Sequence, residues 1–167
     1  ISSMVDNIDE YLEHINALRE KTLTPEAVAY MKECEAKNDL DNARYQGYVD
    51  VLNREYVDRK QPMAIRHLIP TMATPVYNAF QGNNEFVVTG KLKEWDIRDR
   101  MKDITMPTLL TFGEHETMPL KSAERMAHDI PHARLETTPY GGVPPKRSKS
   151  AQLLWPRELL PVLNGPK

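Results

Sequence analysis

The sequence predicts an α/β chain in two parts. A helical region covers about residues 1–80, and a tryptophan-bearing linker joins it to one βαβ unit near the end. Three observations carry this. Apolar residues recur at helical spacing in several early stretches. Thr108 to Phe112 is an apolar, β-branched and aromatic run opened by Pro107 and closed by Gly113, which brackets a short buried strand. Behind it come an amphipathic stretch, Pro119 to Asp129, and a second strand-like run, Ala133 to Thr138. Strand, helix and strand with short links make a βαβ unit, whose strands are parallel with a right-handed crossover.

Taken in order, the first helix is expected over Asp6–Glu20, with Ile8, Leu12, Ile15 and Leu18 on one face and acids in its first turn. His14 lies beside that face and reads as structural. Thr24 is a helix N-cap with Pro25 at the first helical position, and this second helix runs to about Lys37. After the polar break 38–42, Asp41 is expected to cap a third helix. Its stripe of Tyr45, Val49, Leu52 and Tyr56 reads as packing surface. Gln61-Pro62 ends that helix, and Ala64 to Leu68 is a short amphipathic piece. Thr74-Pro75 starts another helix with Val76, Tyr77 and Phe80. Gln81 to Asn84 is turn chemistry, and Glu85 to Gly90 is a short extended or β-prone piece. Trp95 and Ile97 are spaced as anchors into a core, and 97–104 is a brief helical turn. In the later helix Leu120, Ala123, Met126 and Ala127 face inward, and Tyr140-Gly141-Gly142 is a turn. From Val143 onward the chain is basic and proline-broken, with no assignable element.

Composition narrows the function classes. Of 167 residues, 28% are charged and 40% hydrophobic, and the formal net charge is −2. That balance does not favour nucleic acid or an acidic substrate. No apolar run approaches the roughly 18 residues of a membrane helix. The first residues carry neither a basic n-region nor an apolar h-region, and the start at Ile1 is expected to be a cut from something longer. Cys34 is the single cysteine, so a cytoplasmic setting is expected, with Cys34 an incidental surface or half-buried thiol. There is no Gly-rich phosphate loop, no Gly-x-Ser-x-Gly and no metal-ligand spacing. His128 and His132 straddle Pro131 and share no helix face. Neither a cofactor nor a metal is expected. Glu114-His115-Glu116, past the end of the central strand, is the dense titratable cluster. Such loops hold ligands and catalytic groups in α/β proteins; a solvated loop is the alternative.

Several segments resemble the proline iminopeptidases of the α/β-hydrolase fold, including the tricorn-interacting aminopeptidase. Tyr77-Asn78-Ala79-Phe80-Gln81-Gly82-Asn83-Asn84-Glu85-Phe86, continuing Thr89-Gly90-Lys91-Leu92-Lys93-Glu94-Trp95-Asp96-Ile97, is similar to a family stretch with an Asn-Glu-Phe or Ser-Glu-Phe core and a Gly-x-Leu-Lys-Asp-Trp-Asp end. Pro107 to Pro119 resembles the family's strand and Gly-Glu-x-Asp loop. Ala123 to Ala127, Ile130-Pro131 and Gly141-Gly142 follow in the same order, and Tyr45-Gln46 matches a cap helix. The likeness is collinear over about 1–142.

The resemblance implies a partial α/β-hydrolase fold: a mostly helical cap over 1–96, whose residues 1–4 end a core strand, then the C-terminal part of the core over 97–142, then a divergent tail over 143–167. It implies a serine peptidase that releases N-terminal proline from peptides through an acyl-enzyme. Glu85 is implied to pair with the substrate ammonium, with a turn-end carboxylate in solvent as the alternative, and Tyr77 to line that pocket. Glu116 takes the position of the triad acid, where the family has Asp; a deletion beside the Asp would give the same pattern. Thr117 stands where a second acid often follows. Val143 stands where the catalytic His is expected after Gly141-Gly142, and the nucleophile half is expected to precede residue 1. The chain by itself is therefore expected to be inactive. A reading of another class is a non-catalytic helical cap module, or a truncated product, that binds peptide or partner chains. A lone βαβ unit leaves strand edges and apolar faces open, so self-association through the core strands is expected.

Overall fold

The computed structural model describes residues 1, 3–57 and 73–139. The expectations for Gln61-Pro62, for 64–68 and for everything from Tyr140 onward, including Val143 and the tail, lie outside the described residues.

Helix α1 spans Ile8–Thr22, capped by the Asn7 side chain, which accepts from the Glu10 amide at 3.0 Å. It therefore starts two residues later than the acid pattern predicts, and Asp6 lies ahead of it, fully buried. Helix α2 spans Pro25–Ala36 with Thr24 as N-cap. Asn38, at φ 55°, takes the left-handed position beyond its end, and the Asp39 amide reaches back to the Cys34 carbonyl at 2.8 Å. Helix α3 spans Ala43–Leu52 and continues as a π turn over Asn53–Val57. Its cap is Asn42, which accepts from the amides of Arg44 and Tyr45 at 3.0 and 3.3 Å. Asp41, the expected cap, instead accepts from the Asn83 side chain at 3.1 Å. Cys34 is buried at 5% exposure, and so is no surface thiol: it sits on the inner face of α2 with Met31.

Helix α4 is short, Thr74–Phe80. Residues 85–90 form no strand, contrary to the β-prone composition; Phe86, Val87 and Val88 are buried there as loop residues. The loop closes on itself, because the amides of Thr89 and Gly90 both donate to the Gln81 carbonyl, at 2.9 and 3.2 Å. Two glycines permit that closure. Gly82 has φ +131°, and a Cβ there would meet the Thr89 hydroxyl at 2.4 Å; at Gly90 a Cβ would sit 2.3 Å from the Phe80 carbonyl oxygen. Two 3-10 turns follow, Lys91–Glu94 and Arg98–Asp103.

Strands β1 (Thr108–Gly113) and β2 (Ala133–Thr138) are parallel, with Thr108 opposite Ala133 and Gly113 opposite Thr138. Helix α5, Leu120–Asp129, connects them and packs Ala123 and Met126 against Leu110 and Phe112. Leu120 is 38% exposed rather than inward, since it opens the helix and Pro119 before it takes the buried place. The far edge of β1 is not bare. The Ser3 amide donates to the Thr111 carbonyl at 3.1 Å, and the Thr111 amide to the Ile1 carbonyl at 3.0 Å, the slanted pattern of a parallel neighbour.

Two apolar cores result, one among α1–α3 and the 86–88 loop, the other around β1 and α5, and Met118 packs against both. A polar network joins them. Arg125 of α5 binds Asp6 through Nε (2.6 Å) and Glu10 through Nη1 (2.8 Å), while Ser122 donates to the Asp6 carboxylate at 2.5 Å. Trp95 closes the same junction. Its indole N–H donates to the Val5 carbonyl at 2.9 Å, and its own carbonyl accepts from the Ile8 amide at 2.8 Å.

Burial alone would raise the Asp6 pKa, but the Arg125 and Ser122 hydrogen bonds outweigh it, and the net shift is downward. A lowered carboxylate stabilises the fold above its ordinary value and loses that contribution as pH falls. Urea unfolding is thus expected to show stability falling as pH drops below the ordinary value of 3.8, with the slope flattened in D6N. R125A strands a buried carboxylate and is expected to cost about 3 kcal/mol at neutral pH. A second pair of variants tests the glycines. Gly47 on α3 has open space beyond its Cα, so G47A is expected to stabilise by about 0.5–1 kcal/mol in the same assay, whereas G90A is expected to destabilise.

Candidate functional site

The segment Asn84-Glu85-Phe86 is held from both sides. The Asn84 side chain accepts from the Phe86 amide at 2.9 Å, an Asx turn, and donates to the Tyr45 hydroxyl at 3.3 Å. Arg19, buried on α1, donates to the Phe86 carbonyl and forms an ion pair with Glu35 at 2.6 Å. Glu35 also accepts from the Tyr45 hydroxyl at 3.0 Å. Burial is the main cause that pushes the Tyr45 phenol up to about 12. Phe86 is 1% exposed, so its ring anchors the loop in the helical core.

Between these anchors, Glu85 is surrounded by hydroxyl groups. Tyr77 of α4 donates to Oε2 at 3.1 Å, and Thr117, in the loop after β1, donates to Oε1 at 3.0 Å. Tyr11 of α1 donates to the Glu85 carbonyl and lies 3.4 Å from Oε1. Gln81 in turn donates to the Tyr11 hydroxyl at 3.5 Å. Among the described residues no lysine, arginine or histidine comes within ion-pair distance of this carboxylate. The residue keeps some solvent contact, yet burial dominates at its carboxylate and raises the pKa; the hydroxyl donors oppose this, and the nearby Glu116 charge adds to it. Burial and the Glu85 charge likewise raise the phenols of Tyr11 and Tyr77.

The titratable cluster past β1 divides. Glu114 and His115 are exposed, while Glu116 is buried at 8% exposure. Its Oε1 accepts from the Gly113 amide at 2.7 Å, which turns the side chain back onto the end of β1. His14 Nε2 lies 3.3 Å from the Glu116 carbonyl. Tyr77 and Glu85 are therefore in direct contact, and Thr117 brings the Glu116 loop to the same place. Among the described residues no group of three histidine, cysteine, aspartate or glutamate side chains could hold a metal ion, and no helix is long and apolar enough to cross a membrane.

Sequence reasoning missed Tyr11 and Thr117. Tyr11 had a signal: it shares the stripe of Ile8, Ile15 and Leu18, and a tyrosine on a core stripe requires a partner for its hydroxyl. At Thr117 the resemblance marks the position as one where an acid often stands, but the hydroxyl's contact with Glu85 spans 32 residues and no local pattern reveals it.

Comparison with known proteins follows the same division. No protein-family model matches the chain. The proline iminopeptidase of Flavobacterium johnsoniae is 28% identical over 144 residues, covering 84% of this chain and 48% of that enzyme. The crystal structure of the proline iminopeptidase of Mycobacterium smegmatis superposes with a TM-score of 0.67 at 27% identity, over 84% of this chain and 48% of that one. The crystal structure of VinJ superposes with a TM-score of 0.70 at 24% identity, over 81% and 47% of the two chains, a likeness of fold alone. The chain spans about half the length of the curated relatives it matches. With its helical part, its parallel strand pair and this run of relatives, the chain has a partial α/β-hydrolase fold and is similar to the proline iminopeptidases over about half of their length.

Proposed function

We propose that the chain is the ligand-gripping portion of a serine peptidase that releases proline from the N-terminus of peptides. In this reading the helical cap and the loop after β1 together hold the substrate's free amine. The observation that carries it is the Glu85 carboxylate, fixed by hydroxyls and facing no protein cation among the described residues. Such a carboxylate is costly to keep. A bound prolinium brings a positive charge and two N–H donors to it, a charge-assisted contact in a low-dielectric place. Glu116 takes the role of the acid that orients the catalytic histidine, from the loop position where α/β sheets carry such groups. Catalysis needs a serine and a histidine as well. The sequence holds no Gly-x-Ser-x-Gly, and Val143 follows Gly141-Gly142. The chain by itself therefore binds without turning substrate over. A second reading, a helical module that grips peptides without cleaving them, rests on the same carboxylate.

Calorimetric titration with Pro-Ala amide and with its N-acetyl form tests the grip. The free-amine peptide is expected to bind, and acetylation or E85Q to weaken binding by at least about tenfold. Equal affinity for both peptides would sink the proposal. With proline anilide the purified chain is expected to give no turnover, and turnover that survives serine-directed inhibitors would overturn the serine mechanism.

E85Q has a second consequence. A carboxylate with a raised folded-state pKa opposes folding once pH passes its ordinary value of 4.5, because the folded state must then carry the buried charge. E85Q is expected to melt higher than wild type at neutral pH, and the gain is expected to vanish below about pH 4.

A further inference from the structure

The geometry points to Thr117 as the positioning residue that fixes the Glu85 carboxylate and ties it to the loop carrying Glu116. The inference rests on the reading of Glu85 as the amine acceptor only for its effect on ligand binding; the positioning itself follows from counting donors. Glu85 Oε2 has the Tyr77 hydroxyl at 3.1 Å. Oε1 has two neighbours, Thr117 at 3.0 Å and Tyr11 at 3.4 Å. The Tyr11 hydroxyl has one proton, and its shorter contact is to the Glu85 carbonyl. Oε1 therefore depends on Thr117. A glutamate side chain has several rotatable bonds, and ordering it costs conformational entropy. Pinning both oxygens in advance leaves the remaining lone pairs aimed before a ligand arrives.

The same residue belongs to a strap of three consecutive contacts between loop and cap. The Glu116 carbonyl faces His14 Nε2 at 3.3 Å, the Thr117 hydroxyl holds Glu85, and Met118 packs into both apolar cores. Thr117 is 7% exposed, so its hydroxyl is committed to the interior. A ligand seated on Glu85 thus bears on the loop beyond β1 through one hydrogen bond. The titratable groups around Glu85 are Tyr11 from α1, Tyr77 from α4 and Glu116 from this loop. T117V changes none of these groups.

The test is the titration of Glu85 followed by carboxyl-carbon NMR in wild type, T117V, T117A and T117S, with no ligand present. Loss of a donor to the ionised form is expected to move the Glu85 midpoint upward in T117V and T117A, while T117S stays near wild type. A threonine that merely fills space would lower stability in T117V or T117A and leave the midpoint where it was; unchanged midpoints overturn the inference. Affinity for Pro-Ala amide above the midpoint is expected to fall roughly tenfold in T117V and to be kept in T117S. If wild type fails to bind that peptide, the proposed function fails, while a midpoint that still moves in T117V upholds the positioning role.

Discussion

Asp6 has no exposed surface and lies two residues before the start of α1. Its charge has to be answered from inside the molecule. The answer comes from Arg125 and Ser122 on α5, well over a hundred residues away in sequence. Because the partners are so far apart, this one ionic cluster decides how the helical part meets the strand pair. The rest of the junction is built around it. The Ile97 amide donates to the Asp6 carbonyl at 2.8 Å, Trp95 bridges Val5 and Ile8, and Glu10 shares Arg125. Apolar burial around Met118 adds area but no direction; the fork of the guanidinium supplies the direction.

That junction is also what makes the candidate site. Glu85 comes from the 81–90 loop, Tyr11 from α1 and Thr117 from the turn beyond β1. None of these segments is near another in sequence, and they converge where α1 lies against the loop following β1. The loop is shaped by local chemistry: an Asx turn at Asn84, two glycines that allow close backbone approach, and a buried Phe86. What it presents is a carboxylate in an environment that disfavours its charge. Functional sites commonly sit at such tension, since a group optimised for stability would be paired by the protein itself and closed to a ligand.

The helices and strands were legible in the sequence because each carries its own period. The stripe of α3, the Thr24-Pro25 start of α2 and the bracketed run of β1 are local signals, and the structure places them within a residue or two. The errors are also local and instructive. Asp41 and Asn42 are equally good caps by type, and the choice fell to Asn42 because Asp41 is taken by Asn83. Residues 85–90 look β-prone because they are rich in valine and phenylalanine. They fold as a loop because the Gln81 carbonyl draws the chain back on itself. Cys34 stands among glutamates in sequence, yet lies on the buried face of α2, where neighbours in the chain do not matter.

By itself, then, the sequence determined the element types, their order and the kinship with proline iminopeptidases, which also singled out Glu85, Tyr77 and Glu116. Periodicity, turn residues and motif order are properties of neighbouring residues, and they survive without a fold. Only the tertiary structure decided that Tyr77 and Glu85 touch, that Tyr11 and Thr117 complete the hydroxyl shell, and that Asp6 is the buried charge at the junction. Apart from the eight residues between Tyr77 and Glu85, those contacts span tens to more than a hundred residues. Such contacts are selected by the burial and pairing of charge in three dimensions, which leaves no mark on residue spacing.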